Sequence, residues 1–125
     1  MLKIIELHAS INSQSEYIVL ENQGLNSINL KGYALCTDAY FTGDSRRLSD
    51  EIFIFQEALF IKPFTRVVLL TGIGEEGWFP TVDGKKAYCL FWNKGSGVWC
   101  KHEEVHLLQI TNSRRVVPES VALSA

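Results

Sequence analysis

The feature of this sequence that most constrains its fold is a short-range alternation of apolar and polar residues. In residues 5–12 every second residue is apolar and the residues between are polar. Side chains of a β-strand point alternately to its two faces, so this spacing places one face in a core and the other in water. Further strand-length runs between turn signals cover residues 16–22, 28–36, 52–55, 66–71, 86–92, 105–109 and 114–117. With no convincing amphipathic helix, the pattern predicts an all-β sandwich or barrel.

Length and composition set the class of protein. At 125 residues the chain is long enough to form one domain. A domain of this size buries about two-thirds of the surface that its unfolded chain exposes, so it needs no metal or disulfide for stability. Hydrophobic residues make up 46% of the chain and charged residues 21%, which excludes a disordered chain. We expect one domain over residues 1–117 and a small, polar, frayed tail over residues 118–125.

Net charge and cysteine content restrict the cellular setting. A net charge of −2 provides no basic field for nucleic acid, and no run approaches the roughly 20 apolar residues that membrane insertion needs. The first residues show no signal-peptide pattern, and the three cysteines form no CxxC pair, which predicts reduced thiols. The sequence therefore predicts a cytoplasmic protein.

Four short motifs follow one another in a specific order. Residues 16–24 read glutamate, aromatic, apolar, any residue, leucine, any residue, asparagine, any residue, glycine, and residues 28–35 read apolar, any residue, leucine, any residue, glycine, aromatic, any residue, leucine. A proline turn with an apolar strand follows at 61–72, then a tryptophan, a polar turn and an alternating strand at 98–107. Together they resemble the lamin tail domain family over about residues 4–117.

The resemblance implies an immunoglobulin-like β-sandwich of Greek-key type, with antiparallel and mixed sheets. Known members act mainly as binding or tethering modules attached to other proteins, so the resemblance bears on fold more than on function. It implies structural roles for four residues: a turn amide, two glycines that give the backbone freedom, and a core tryptophan whose indole needs an acceptor. These residues are Asn22, Gly24, Gly32 and Trp99.

The sequence departs from the family pattern at two residues and in two loops. Phe64 stands where the family usually has glycine after the proline. Glu103 stands where an aspartate preceded by glycine is usual, so we expect a different turn there. Residues 38–50, predicted to form a long surface loop, and residues 72–85 are particular to this chain.

Four residues with metal-ligating side chains are spaced two apart, at Cys100, His102, Glu104 and His106. On one continuous strand they would share a face, and zinc uses these ligand types. The competing interpretation is a solvated outer face, which we favour because a turn before residue 103 would interrupt the strand. We therefore expect no bound metal and keep these four residues as candidates for an alternative, metal-binding or hydrolase-accessory function.

Other patterns give no support for catalysis or for a cofactor. Residues 72–77 match G-x-G-x-x-G after a strand, but no helix follows, and Glu75 and Glu76 would repel a pyrophosphate. No serine lies in a G-x-S-x-G context, and the scattered acidic residues form no recognisable pair. Cys36 and Cys89 are predicted to be inert packing residues, and Cys100 the exposed thiol. We expect no enzymatic activity and no cofactor.

Aromatic residues indicate a surface for a protein partner. Trp78 and Phe79 lie in a glycine-rich acidic loop, where large aromatics either anchor an interface or fold back over the end of the core. Residues 53–64 also carry more aromatics than one small core needs. The candidate partner-binding residues are Phe53, Phe55, Phe60, Phe64, Trp78 and Phe79.

These observations leave one leading hypothesis and two alternatives. The leading hypothesis is a non-enzymatic module that binds a protein partner, or a second copy of itself, through a sandwich edge or the aromatic loop. The first alternative is the metal-binding or hydrolase-accessory domain. The second is weak nucleic-acid binding, which would require the basic pairs at 46–47, 85–86 and 114–115 to share one face.

Overall fold

The chain folds mainly into β-strands, as the alternation predicts. A computed structural model describes residues 1–101, 104–111 and 115–122. Short helices α1 (Ala39–Thr42) and α2 (Ser45–Leu48) lie within the segment predicted to be a long surface loop. The strands are β1 (Leu2–His8), β2 (Tyr17–Asn22), β3 (Ile28–Asn29), β4 (Tyr33–Cys36), β5 (Ile52–Ile54), β6 (Phe60–Ile61), β7 (Arg66–Leu70), β8 (Gly77–Pro80), β9 (Lys86–Phe91), β10 (Glu104–Thr111) and β11 (Arg115–Ala122).

The strands form two larger sheets and one small one. The first sheet has the order β1-β2-β7-β9-β8, in which β7 and β9 are parallel and the other neighbours are antiparallel. The second sheet is antiparallel, with the order β11-β10-β4-β5. Strands β3 and β6 pair separately. The fold is therefore mainly β, with a mixed and an antiparallel sheet.

Both larger sheets contribute to one hydrophobic core. Inward-facing residues of β2 and β7 in the first sheet pack in the same cluster as residues of β4 and β10 in the second. The fully buried side chains include Ile18, Leu20, Val67, Leu69, Leu35, Val105 and Trp99. Burying apolar surface between two sheets is what the alternating pattern requires, since each strand has one apolar face.

Strand β1 departs from the predicted alternation. The sequence predicts that Ile5, Leu7, Ala9 and Ile11 share the core face, but Ile5 is 38% exposed, and Ile11, which lies beyond the end of β1, is 77% exposed. The pairing of β1 with β2 shifts register between residues 4 and 6, and Ile4 packs against the core in place of Ile5, whereas Leu7 packs there as predicted. A β-bulge adds one residue to one strand, which moves the apolar set to the other face from that point on.

The predicted strand over residues 28–36 is divided in two. Residues 28–29 belong to β3 and pair with β6, whereas residues 33–36 belong to β4 in the second sheet. Gly32 lies between them with φ of 94° and donates its N–H to the carbonyl of Phe55. A left-handed backbone of this kind strains any residue with a Cβ, so the predicted role of Gly32 in backbone freedom is confirmed at this corner.

The C-terminal part differs from the predicted tail. Strand β11 continues to Ala122, past residue 118 where the sequence predicts a frayed end, and pairs with β10 over its length. Pro118, opposite Leu108 in this pairing, lies on an edge strand, where a missing N–H is tolerated. Among the described residues, no helix is long and apolar enough to cross a membrane.

Phe64 has a strained backbone. Its φ is 62°, in the left-handed region, and its N–H donates to the carbonyl of Asn22 at 2.6 Å. The side chain is 60% exposed, so packing contributes little to holding this conformation. The turn therefore requires the conformation that glycine adopts at no steric cost.

We expect Phe64→Gly to raise the free energy of unfolding. Relief of the left-handed strain contributes roughly 1–2 kcal/mol, and the greater freedom of glycine in the unfolded chain offsets roughly 0.5–1 kcal/mol. Urea unfolding measures the difference. Phe60→Gly is the matched control: Phe60 is 65% exposed but lies in β6, so its replacement by glycine lowers stability. A loss of stability in Phe64→Gly comparable to that of the control contradicts the interpretation.

Candidate functional site

Glu16 carries the densest set of polar contacts that the structure describes, and sequence reasoning missed it. The residue directly precedes β2, and its side chain is completely buried. Oε1 accepts from the N–H of Val98 at 2.7 Å, the hydroxyl of Thr71 at 2.8 Å and the N–H of Trp99 at 3.1 Å. Oε2 accepts from the N–H groups of residues 10 and 100, each at 3.2 Å. Five donors compensate the cost of burying one negative charge.

The Glu16 carboxylate connects three segments that are distant in sequence. The chain before β2, the end of β7 and the 3₁₀ turn at Trp99–Lys101 all donate to it. Gly97 makes the close approach possible, because a Cβ there would collide with the main-chain carbonyl of Ser10. The sequence offered one signal, a glutamate directly before a buried strand, but its donors lie up to 84 residues away.

We expect Glu16→Gln to lower the free energy of unfolding by about 3 kcal/mol, because an amide NH₂ would face main-chain N–H groups that lose their acceptor. Thermal and urea unfolding measure the loss. Glu75→Gln provides the control, since that side chain is exposed. Equal free energies of unfolding of the two variants would show that the five contacts to Glu16 make no net contribution to stability.

Asn22 has the structural role that the family resemblance implies. It is completely buried, and its Nδ2 donates to the carbonyls of Asn26 and Ile61, each at 2.9 Å. Its Oδ1 accepts from the N–H of Gly24 at 2.9 Å, which closes the turn after β2. A Cβ at Gly24 would collide with the main-chain nitrogen of Met1. The requirement for glycine at residue 24 is thus close approach rather than backbone freedom.

Trp99 fills the centre of the core, but its indole N–H has no acceptor among the described residues. The ring is completely buried and lies 5.3 Å from the ring of Trp92. Its indole N–H makes no hydrogen bond with the described residues, contrary to the expectation that it would find a partner. Its contribution is therefore apolar packing together with the main-chain contact to Glu16.

The predicted row of metal ligands does not form along one strand. Cys100 lies in the 3₁₀ turn, whereas β10 begins only at Glu104, and His102 lies outside the described residues. His106 Nε2 is 3.2 Å from Glu104 Oε2, but the imidazole is buried and packs against the ring of Phe41 at 4.7 Å. The expectation of a solvated outer face is therefore wrong at His106. Within the described ranges, no group of three or more potential ligands is close enough to hold a metal ion.

The cysteines divide into one buried thiol and two more accessible ones. Cys36 is completely buried in β4, and burial raises the pKa of its thiol to about 12. Burial also raises the pKa of Cys89, which lies half-buried in β9. Cys36 is the inert packing residue that the sequence predicts. Cys100 is half-buried rather than fully exposed.

We expect Cys36 to resist alkylation in the folded chain. Its thiol pKa is raised above its ordinary value, so at pH 8 the reactive thiolate is a negligible fraction, and burial also blocks access. Iodoacetamide labelling followed by peptide mass spectrometry measures the rate at each cysteine. In urea, Cys36 reacts as fast as the other two. Comparable rates for Cys36 and Cys100 in the folded chain would contradict the burial.

The glycine-rich segment 72–77 forms a loop that leads into a strand. The N–H of Ile73 donates to Oε1 of Gln14 at 2.7 Å, and Gly74 lies directly against the ring of Phe91. The segment continues into β8, not into a helix, so it has no helix N-terminus to bind phosphate. Its glycines serve contacts within the protein.

The basic pairs named from the sequence lie on different elements. Arg47, in α2, donates to Asp38 at 2.9 Å and to Glu51 at 3.1 Å. The pair at 85–86 lies at the start of β9, and residue 114 lies outside the described ranges.

The candidate aromatic residues separate into buried and exposed ones. Phe55 is only 3% exposed and belongs to the core, so its predicted role in partner binding is wrong. Phe53 is half-buried and packs against the same core. Trp78 and Phe79 lie on β8 rather than in a loop, and they are 48% and 44% exposed. Phe60 and Phe64 are also exposed, but on the β6–β7 segment.

Strand β8 is an edge of the first sheet, which makes its two aromatic residues available to a partner. Trp78 pairs with Tyr88 of β9, and the two rings meet edge to face at 5.2 Å. Phe79 pairs with Ala87 and projects to the opposite face of the sheet. Consecutive large aromatics thus flank one strand edge whose outer main chain is unpaired within the described chain.

Beside this edge lies a cavity of about 430 Å³ between the two larger sheets. One wall is β5, the edge of the second sheet, with residues 56–59 that follow it, and the other wall is formed by β9 and Trp92. Glu57 and Glu76 lie at its rim. We refer to this region, with β8 and β5 as its two edges, as the open side of the molecule.

Neither a scan against protein-family models nor a search of curated proteins finds a match to this chain.

Proposed function

We propose that this chain is a non-enzymatic interaction module that binds a protein partner, or a second copy of itself, through its open side. The observation that carries the proposal is the aromatic pair Trp78 and Phe79, which are both exposed on an edge strand, one on each face of the sheet. Aromatic side chains supply much of the binding energy of protein interfaces, and an unpaired strand edge offers main-chain donors and acceptors to a partner.

The proposal includes an immunoglobulin-like sandwich fold of the lamin tail type. Two facing sheets that share one core support the sandwich. The buried Asn22, the corner at Gly32 and the left-handed backbone of Phe64, where the family usually has glycine, support the lamin-tail likeness. The free thiols at residues 36, 89 and 100 support a reducing, cytoplasmic setting.

The described groups that could act as an acid or a base favour binding over catalysis. The Glu16 carboxylate is buried and is engaged with five donors in holding the fold. The buried imidazole of His106 is next to Glu104 and an aromatic ring, with no nucleophile among its described contacts. A catalytic base needs a substrate proton within reach, and neither group is placed on the open side.

We expect the double variant Trp78→Ser, Phe79→Ser to lose the partner. Truncating a hot-spot aromatic costs about 2 kcal/mol, roughly 30-fold in affinity. The wild-type chain is immobilised, bound proteins are quantified by mass spectrometry, and light scattering of the free chain measures self-association. A partner whose capture, or a dimer whose population, falls at least tenfold in the variant supports the proposal.

Phe60→Ser, Phe64→Ser is the matched control, because it removes two aromatics outside the open side that are even more exposed than Trp78 and Phe79. Binding is expected to survive in this control. Equal loss in the two double variants would indicate non-specific hydrophobic adhesion and would overturn the proposal, as would binding that is unchanged in both.

A further inference from the structure

The main chain of β5 presents free hydrogen-bonding groups toward the open side. Phe55 donates its N–H to the carbonyl of Tyr33 at 2.9 Å, and its carbonyl accepts from the N–H of Gly32 at 3.1 Å. In an antiparallel pair, alternate residues bond to the same neighbour, so Ile52 and Ile54 direct their N–H and carbonyl groups away from β4. Strand β5 pairs with no other strand in the described chain.

The side chains of a strand added to β5 would alternate between two different environments. Phe53 and Phe55 face the core, and the 430 Å³ cavity lies beside them, between β5 and β9. Ile52 packs on the opposite face of the second sheet. Every second side chain of an added strand would therefore project into the cavity, in line with Phe53 and Phe55.

The rim of the cavity is acidic and its wall is aromatic. Glu57 and Glu76 enter it from separate loops, and neither makes an ion pair with a described residue. The negative charges of both carboxylates reach the same side chain in the wall of the cavity. Together with burial, which has the larger effect, they raise the pKa of Tyr88. Among the described residues that line the cavity, none is basic. The nearby Lys94 lies over the ring of Trp92 at 5.1 Å and 3.9 Å from Asp50.

We propose that the open side binds an extended segment of a partner protein, which adds a strand to β5 and places a lysine or arginine side chain in the cavity between Glu57 and Glu76. The free main-chain groups of Ile52 and Ile54 supply sequence-independent contacts, and the cavity supplies the selection. The long aliphatic stem of a basic side chain suits the apolar wall, while its charged end reaches the two carboxylates. The inference deepens the proposed function and rests on it.

Capped seven-residue peptides test the selection. One peptide alternates threonine and valine and carries lysine at its centre, and the second has glutamate there. Both are titrated into the full ¹⁵N-labelled chain and followed by NMR. The lysine peptide is expected to bind at least tenfold more tightly, since its ammonium makes charge-assisted contacts with the two carboxylates, which repel the glutamate of the second peptide. Equal affinities of the two peptides would overturn the inference.

The strand-addition geometry has its own readout. Hydrogen exchange at the amides of Ile52 and Ile54 is expected to slow on addition of the lysine peptide, because these N–H groups gain acceptors. Methylation of alternate amide nitrogens in the peptide, tested for each of the two alternating sets, is expected to abolish binding for one set only. Unchanged exchange at both isoleucines would overturn the inference.

Two double variants test whether the carboxylates at the cavity, rather than the overall negative charge of the chain, select lysine. Glu57→Gln with Glu76→Gln is expected to remove the preference for lysine over glutamate. Glu75→Gln with Glu6→Gln removes the same charge outside the cavity lining and is expected to leave the preference intact. If partner binding depends on Trp78 and Phe79 but neither peptide binds, the inference fails while the proposed function stands. If that dependence is also absent, both fail.

Discussion

The buried carboxylate of Glu16 is the interaction on which the rest of the structure depends. A charge removed from water is tolerated only when hydrogen bonds replace its hydration, and five donors do so here. Because three of them are consecutive main-chain N–H groups, the carboxylate determines where the turn at residues 98–100 lies. That turn carries Trp99 into the centre of the core. The hydrogen bonds to Glu16 and the packing of Trp99 between the sheets therefore depend on each other.

Two regions of the domain differ in how completely their described polar groups are satisfied. Asn22 closes the turn after β2 with hydrogen bonds to residues 24, 26 and 61. On the open side, in contrast, the described groups include unpaired carboxylates at Glu57 and Glu76 and two strand edges. Where strand edges lack partners, their main-chain groups are available for recognition by another molecule.

The strands were predictable from sequence because alternation is a local property. The runs that contain β2, β7 and β9 lie within a residue or two of the observed strands. The bulge in β1 was not predictable, since the shift between residues 4 and 6 is imposed by its pairing with β2. Strand β8 was not predicted, because Gly77–Pro80 has turn residues at both ends and two adjacent aromatics between them. Only its pairing with β9 makes it a strand.

The candidate site was predictable only in part, for a related reason. Trp78 and Phe79 could be named from residue type and surroundings, but their edge position depends on the sheet order. The predicted row of metal ligands at residues 100–106 does not form along one strand, because a 3₁₀ turn precedes β10. Glu16 could not be distinguished from an ordinary surface glutamate, because each of its acceptor contacts with residues 71 and 98–100 spans at least 55 residues.

The wide sequence separation around Glu16 also bears on how the chain comes to be folded as it is made. A chain that emerges from the ribosome only as far as residue 97 lacks three of the five donors and the central tryptophan. Strands β2 and β7 can pair by then, but the negative charge at their end would stay hydrated, and water would remain where Trp99 belongs. The core therefore cannot close before residues 98–100 have been made, and until then the unfinished sheet edges are exposed to other chains.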